Sequence, residues 1–319
     1  MIASVIIPTY QRAAYLIETL NSLISQKFPK DQYELIIVDN SIRPTPELSS
    51  LHKPESSPAI QYINEPNNGL HNARHAGARA ARGEILVFLD DDVLIPPGWL
   101  AAIIDPFKEN NISVVAGRIV LHFEITPPRW LQQFHPILGE TSYGLTPRRL
   151  VPYQTPFGGN MAIRKSDLFA IGGFNPDGFG DRRLIHLRGD GENGLARKVH
   201  DAGLLIWYAP EAWLYHRVPA KRMTPEYVQR RSALAGIEVA YTELRYHRRT
   251  IPQLMVRSAG SFLKYIYHRL HAGLHRGECQ QRLSHLAAAS HHRHRGCQHL
   301  RQVLSRDLRL HTFQESYLA

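Results

Sequence analysis

Cysteine is nearly missing from this 319-residue chain: the two present, Cys279 and Cys297, lie late and form no CxxC pair. Neither a disulfide framework nor a zinc module is indicated, and a reducing, cytoplasmic setting fits. Also lacking is any run that approaches the ~18 to 20 uninterrupted apolar residues of a membrane span. The opening "MIASVIIPTYQR" has no basic region ahead of its short apolar run, so it reads as a first strand and not as a signal peptide. Acidic residues are scarce in one place only. Residues 1–216 carry 20 Lys/Arg against 22 Asp/Glu, whereas residues 217–319 carry 18 against 6, so net charges of −2 and +12 compose the +10 of the chain. Ten of the 18 histidines also fall in the second part. Two regions with different tasks are expected, and 43% hydrophobic content suffices for one main domain with an appendage.

What is present first is an alternation of strand and helix signals. "ASVIIP" is a short β-branched run, and "AAYLIETLNSLISQ" repeats apolar residues at Leu16, Leu20, Leu23 and Ile24, the spacing of a helix face. "YELIIVD" and "IQYIN" read as further strands, the Ala-rich "NNGLHNARHAGARAARGE" as a helix, and "ILVFL" as another strand. Such an alternation predicts an α/β fold with a mostly parallel sheet covered by helices on both faces. Ligands of these sheets bind at the carboxyl ends of the strands. Asp39 and the triplet Asp90, Asp91 and Asp92 all stand at such ends.

Three adjacent carboxylates repel one another unless something positive lies among them. Residues two apart in an extended segment point the same way, so Asp90 and Asp92 are expected to converge while Asp91 points elsewhere. Hard cations such as Mg²⁺ or Mn²⁺ take oxygen ligands and bridge to phosphates, which makes this strand end a candidate metal and phosphate site. A solvated acidic turn, or the acidic first turn of a helix starting near "PPGWL", is the other reading of the same residues.

"VIIPTYQR", "ELIIVDNS", "NNGLHNARHAGARAARGEILVFLDDDV", "TPFGGNMAIRKSDLFAIGGFNPDGFG" and "GDGENGLARKVHDAGLLIWYAPEAWLYHRV", in this order, resemble the family 2 glycosyltransferases over residues 3 to 218. The resemblance implies the Rossmann-like GT-A fold, with a nucleotide-binding half over about residues 1–92 and an acceptor-binding half over 93–218. Residues 219–319 follow as a basic helical extension. It further implies inverting transfer of a hexose from a nucleoside-diphosphate sugar to a glycan, lipid-linked or small-molecule acceptor, with Mn²⁺ or Mg²⁺. By the family register, Pro8, Thr9, Tyr10 and Asp39 line the nucleoside, and Asp90 lies near the ribose with Asp91 beside it. Asp92 is the metal ligand, and His216 stands near the metal or diphosphate.

Several roles stay open at the level of the residues. Arg74 either faces the diphosphate or is a solvated helix arginine. Gly158, Gly159 and Asn160 read as the wall of the donor-sugar pocket, because glycine lets a ligand approach the backbone, or as a plain turn. "IGGF" and "PDGFGDRR" are expected in the loop that meets the acceptor. An incoming hydroxyl must lose its proton, so a carboxylate base is required. Registering Leu195 on the family pattern puts Glu192 at the base, with Asp190 as the alternative and Gly191 where relatives carry Glu. The competing reading has Asp190, Glu192 and Asn193 capping a helix that starts near Gly194. The departure at Gly191 also keeps open a catalytically silent relative that binds a nucleotide sugar or acts as a scaffold. A nucleotidyltransferase is a third reading, but "PTYQRAAY" lacks the basic glycine-rich loop it would need.

In the basic extension, Met255, Ala259, Phe262, Leu263, Ile266, Tyr267, Leu270 and Leu274 form one helical stripe. Arg257, Lys264, His268, His271 and His275 occupy other faces. Residues 255–275 therefore suit an anionic membrane surface, which would place the protein peripherally on the inner face of the plasma membrane, or else pack on the catalytic domain or a second subunit. The ligand spacing in "HHRHRGCQH" matches no zinc signature, and one cysteine is too few for a closed structural site. Interleaved aromatics and known modules are lacking, so no nucleic-acid partner is expected.

Overall fold

The β-branched runs do become strands, and their burial explains their composition. In the computed structural model, which describes residues 1–49, 57–152, 154–176, 187–275 and 278–318, β1 (Ala3–Thr9), β2 (Tyr33–Asp39) and β4 (Ile85–Leu89) are buried at every position. Continuous burial without alternation is what a sheet covered on both faces requires. β3 (Ala59–Asn64) lies at the edge and is only half-buried. These four strands run parallel in the order β3-β2-β1-β4, with Thr9 opposite Asp39 and Asp39 opposite Asn64. Their carboxyl ends therefore share one rim.

Past β4 the sheet continues through β8 (Asn160–Arg164) and β6 (Ile112–Phe123), both antiparallel pairings, to β9 (Leu205–Val218), which runs parallel to β6. The two-residue strands β5 (Val93–Leu94) and β7 (Arg148–Arg149) both pair with β9. One face of the sheet packs Val5, Ile7, Leu35 and Ile37 under α1 (Ala13–Ile24) and α4 (Trp99–Ile104). On the other face Ile6, Ile36, Val38 and Phe88 meet Ala73, Ala76 and Ala78 of α3 (Leu70–Ala80) and Leu195 and Val199 of α6 (Gly191–Asp201). The single-turn α2 (Pro46–Ser49) and the short α5 (Lys165–Ala170) complete the layers. The expected α/β architecture, mostly parallel and flanked by helices, is the one observed.

The basic region is helical: α7 (Pro225–His247), α8 (Ile251–Leu274), α9 (Cys279–Leu304) and α10 (Arg306–Thr312). Thr224 caps α7 by accepting from the Tyr227 amide, with Pro225 at the first helical position, and Thr250 with Gln253 makes a capping box for α8. α9 packs against both α7 and α8. Leu131, Phe134 and Leu138, in the 3-10 segment Arg129–Leu138, meet Val228 of α7 and Leu283 and Ala287 of α9 in a third core. The extension is thereby fixed to the catalytic part. The apolar stripe of α8 takes no part in this: Met255, Leu263, Leu270 and Leu274 are 56–77% exposed, and the helix buries Leu254, Ser258 and Ser261 instead. No helix among the described residues is long and apolar enough to cross a membrane.

Candidate active site

A cleft of about 920 Å³ opens at the carboxyl rim of the sheet. Pro8, Thr9 and Tyr10 line it from the end of β1, Asp90, Asp91 and Asp92 from the end of β4, His216 from β9, Arg74 from α3 and Glu192 from α6. The sequence reading had singled out all nine. Lys221, Arg222, Tyr227, Arg230, Arg231 and Glu238 line it from the basic region, so the helical extension supplies part of the wall.

The three aspartates separate as strand parity implied, although they lie in the bend between β4 and β5. Asp90, Asp92 and His216 each offer a ligand atom within 4.8 Å of the others. The pairing of Val93 with His216 across β5 and β9 brings this about, since it sets Asp92 beside the histidine, Oδ1 to Nε2 3.3 Å. Asp91 turns the other way, accepting from the Thr9 hydroxyl at 2.7 Å and from Arg12 at 3.1 Å.

Repulsion among these groups is answered by arginines. Arg12 and Arg222 donate to Asp92 at 3.0 and 2.7 Å. Arg74, 1% exposed, donates to Glu192 at 2.9 Å and to Asp90 at 3.4 Å. It is thus not a solvated helix residue. Burial disfavours the ionised form of Asp92, yet His216, Arg222 and Arg12 hold its carboxyl well below the usual range. Glu192 behaves likewise: burial opposes its charge, and Arg74 and His71 outweigh that, leaving it ionised. Asp91 goes the other way, pushed up to about 6 by burial and by Asp92 despite Arg12. Across the cleft, burial pushes Glu238 up to about 7 against the attraction of Arg188, 3.7 Å away.

Two carboxylates and an imidazole make a donor set suited to Mn²⁺ or Mg²⁺. His216 Nδ1 is buried with no hydrogen-bond partner among the described residues, and Asp90 stays a quarter exposed toward the cleft, so the set retains donor capacity. The residues fit a divalent cation.

Gly158 and Gly159 stand behind this constellation. A Cβ at Gly158 would collide with Glu192 and Arg74, and one at Gly159 with Asp90. Their bareness makes room for the site's own carboxylates, a reason the sequence did not reveal. Asn160 is fully buried and tied on both sides of its amide, accepting from Trp99 Nε1 and donating to the carbonyls of Arg118 and Ala212. It fastens β8 to its neighbours and does not line the cleft. Asp39 also lies behind the wall, its two oxygens taken by the amides of Ser41 and Thr45 and by the Tyr62 hydroxyl.

The two base candidates part company. α6 begins at Gly191, three residues before the expected start, so Glu192 sits in its first turn and faces the cleft. Asp190 is 3% exposed, outside the cleft lining, and accepts from Asn175 at 2.7 Å and Thr242 at 3.0 Å. Gly191 has φ +46°, a conformation that side-chain-bearing residues rarely adopt, which explains glycine at this place. Of the expected acceptor loop, Ile171 to Pro176 are described, and 177–186 lie outside the described residues.

The sequence reading missed Arg12, Arg222, His71 and Glu238. Arg12 had a signal: three like charges demanded a cation, and it stands three residues past the end of β1, next to Gln11 with φ 54°. His71, stacked on Phe174 at 4.5 Å with its Nε2 3.6 Å from Glu192, had none.

The family model described as glycosyl transferase family 2 matches residues 4–171. The chain belongs to glycosyl transferase family 2. It is accordingly a glycosyltransferase. Over 235 residues it is 26% identical to the succinoglycan biosynthesis protein ExoM of Rhizobium meliloti, covering 72% of this chain and 71% of that one. The glycosyltransferase AglE of Haloferax volcanii is 31% identical over 117 residues, 36% of this chain and 38% of AglE, so the match spans well under half of that relative. The mannosyltransferase PcManGT of Pyrobaculum calidifontis, solved with GDP-Man and Mn²⁺, superposes with a TM-score of 0.55 at 17% identity over 90% of this chain and 85% of its own. At that identity the likeness establishes the GT-A fold. Family membership sets aside the nucleotidyltransferase reading.

Proposed function

We propose that this glycosyltransferase moves a hexose from a nucleoside-diphosphate donor to an acceptor hydroxyl by a single inverting displacement. Asp90, Asp92 and His216 would hold a divalent cation. The observation that carries the reading is the convergence of those three ligands in one cleft with an ionised Glu192. A Mn²⁺ bound with the donor in PcManGT agrees with it.

Pro8, Thr9 and Tyr10 bind the nucleoside, with Asp39 shaping the strand end behind them and Asp91 fixing Thr9. The cation, when bound, neutralises charge developing on the departing diphosphate. Arg12 and Arg222 hold Asp92 ionised and add positive charge beside that group. Glu192 accepts the proton of the incoming hydroxyl, and Arg74 keeps it deprotonated and oriented. Glu238 is the second candidate, because a carboxyl near 7 is poised for proton transfer at neutral pH and it lines the same cleft. Residues 1–92 serve the nucleotide and 93–218 the acceptor, a glycan as the likeness to the succinoglycan biosynthesis protein ExoM suggests. The exposed stripe of α8, flanked by Lys264 and Arg269 with no acidic residue on the helix, suits docking on the inner face of an anionic membrane.

Hydrolysis and transfer measured over a panel of nucleotide sugars test the core of this reading. Turnover should need Mn²⁺ or Mg²⁺ and fall at least a hundredfold in Asp92→Ala. Turnover indifferent to chelator and to that substitution would overturn the metal role. Failure to float with anionic liposomes at moderate salt would remove the membrane.

A further inference from the structure

None of the ten histidines beyond residue 216 lines the catalytic cleft. Several gather instead between α8 and α9. His268, His271 and His275 recur along α8 at steps of three and four, which puts them on one face. His285 of α9 enters among them: its ring centre lies 5.3 Å from His268, 5.4 Å from His271 and 5.5 Å from His275. One turn-pair further on, His292 stacks on His268 at 5.5 Å.

Nδ1 of His268 and Nδ1 of His285 are joined by a hydrogen bond of 3.0 Å, one donating to the other. Two nitrogens each 2.0–2.1 Å from one tetrahedral zinc are separated by roughly 3.3 Å. Nδ1 of His271 lies 3.0 Å from the Tyr267 carbonyl and donates to it, leaving Nε2 with its lone pair free for a cation. That backbone bond is the arrangement that commonly orients ligating imidazoles. The Glu278 carboxylate lies 3.9 Å from His275 Nδ1, an anionic group at the edge of the cluster. All four rings of this group are half-exposed, so an ion has access.

We propose that α8 and α9 bind a borderline transition-metal cation of the zinc class through His268 and His285, with His271 as third ligand. In the cleft three ligand atoms already lie within 4.8 Å. Here two nitrogens stand together, sharing a proton that a cation would displace, and His271 flanks them with its ring centre 5.4 Å from that of His285. Imidazole donors select zinc-like ions over Mg²⁺ or Mn²⁺, so this site differs in class from the carboxylate site. Its effect is mechanical. The ion clamps α8 to α9, and α9 packs on α7, whose residues wall the cleft. A linear motif search misses it because the ligands come from two helices.

Zinc titration of chelator-treated full-length protein tests this, read by calorimetry and by thermal melting. An Asp92→Asn background removes the carboxylate site. The background protein should bind one zinc per chain and melt at higher temperature with it. His285→Gln and His268→Gln, checked by circular dichroism and by unchanged melting without zinc, should each weaken binding at least tenfold and abolish the rise. His247→Gln, outside the cluster, should retain both. No zinc binding in the background protein, or equal affinity in His285→Gln and His268→Gln, would overturn the proposal. Should one of the pair alter zinc-free melting, the other decides.

Discussion

In the cleft, Asp90, Asp91, Asp92 and Glu192 share three arginines, Arg12, Arg74 and Arg222. In the helical region the proportion is reversed: the single carboxylate of Glu243 draws in Arg257 at 2.7 Å, Arg295 at 2.6 Å and His299 at 2.7 Å. Both are clusters of buried charge, and each has oppositely charged partners. They differ in openness. The carboxylates of the strand rim border an open cleft, with Asp90 a quarter exposed, whereas Glu243 is enclosed by its own helices. Acids at the edge of an open cleft are within reach of a ligand, while one acid enclosed among bases fastens helices together. Openness, not charge count, separates the candidate site from the structural knot.

The largest effect that sharpens this contrast is in the cleft. Glu192→Gln should lower transfer by about 10²–10⁴, the range for a lost general base, while the folded state survives. Asp190→Asn should leave turnover within a few-fold, because that carboxylate lies outside the cleft among Asn175 and Thr242. If the two variants exchange these behaviours in a kinetic assay, the contrast between facing and enclosed carboxylates breaks.

Next comes the knot. Glu243→Gln leaves two arginines and a buried histidine without their anion and should lower unfolding free energy by about 3 kcal/mol, the lower end of the range for a broken buried pair because Arg257 is a third exposed. Chemical denaturation measures it, and a change under 1 kcal/mol would place Glu243 among ordinary surface pairs.

The smallest effect is the pH signature of that same loss. Burial opposes the charge of Glu243, but His299 and Arg295 hold it down to about 2 against an ordinary 4.5. A depressed carboxyl contributes stability that is present above about 4.5 and lost as pH falls toward 2, since the unfolded chain takes up the proton first. The gap between wild type and Glu243→Gln should therefore narrow from pH 5 to pH 3. A gap independent of pH would mean that packing, not ionisation, is at stake.

Much of the candidate site was legible because it is local. The strand patterns of β1, β2 and β4 located the rim, and parity within "DDD" separated Asp90 and Asp92 from Asp91. The register to Leu195 selected Glu192 over Asp190. Elsewhere the residue type misled: Asn160 beside two glycines suggests a ligand wall, yet its side-chain hydrogen bonds tie β8 to β6, β9 and α4. Arg74 looked like one more arginine on a helix surface, and only the approach of α6 to α3 makes it the buried partner of Glu192.

By itself the sequence determined the element order up to β4 and the acidic rim, since each follows from periodicity or spacing within a few residues, while the family resemblance put Glu192 ahead of Asp190. Tertiary structure alone decided which cations meet those acids. Asp92 finds Arg222 across 130 positions and Glu192 finds Arg74 across 118. The same holds for the wall that α7 contributes and for the histidines brought together from α8 and α9. Such meetings depend on how helices pack, and packing is set by shape and burial summed over the whole chain, which no short stretch of residues encodes.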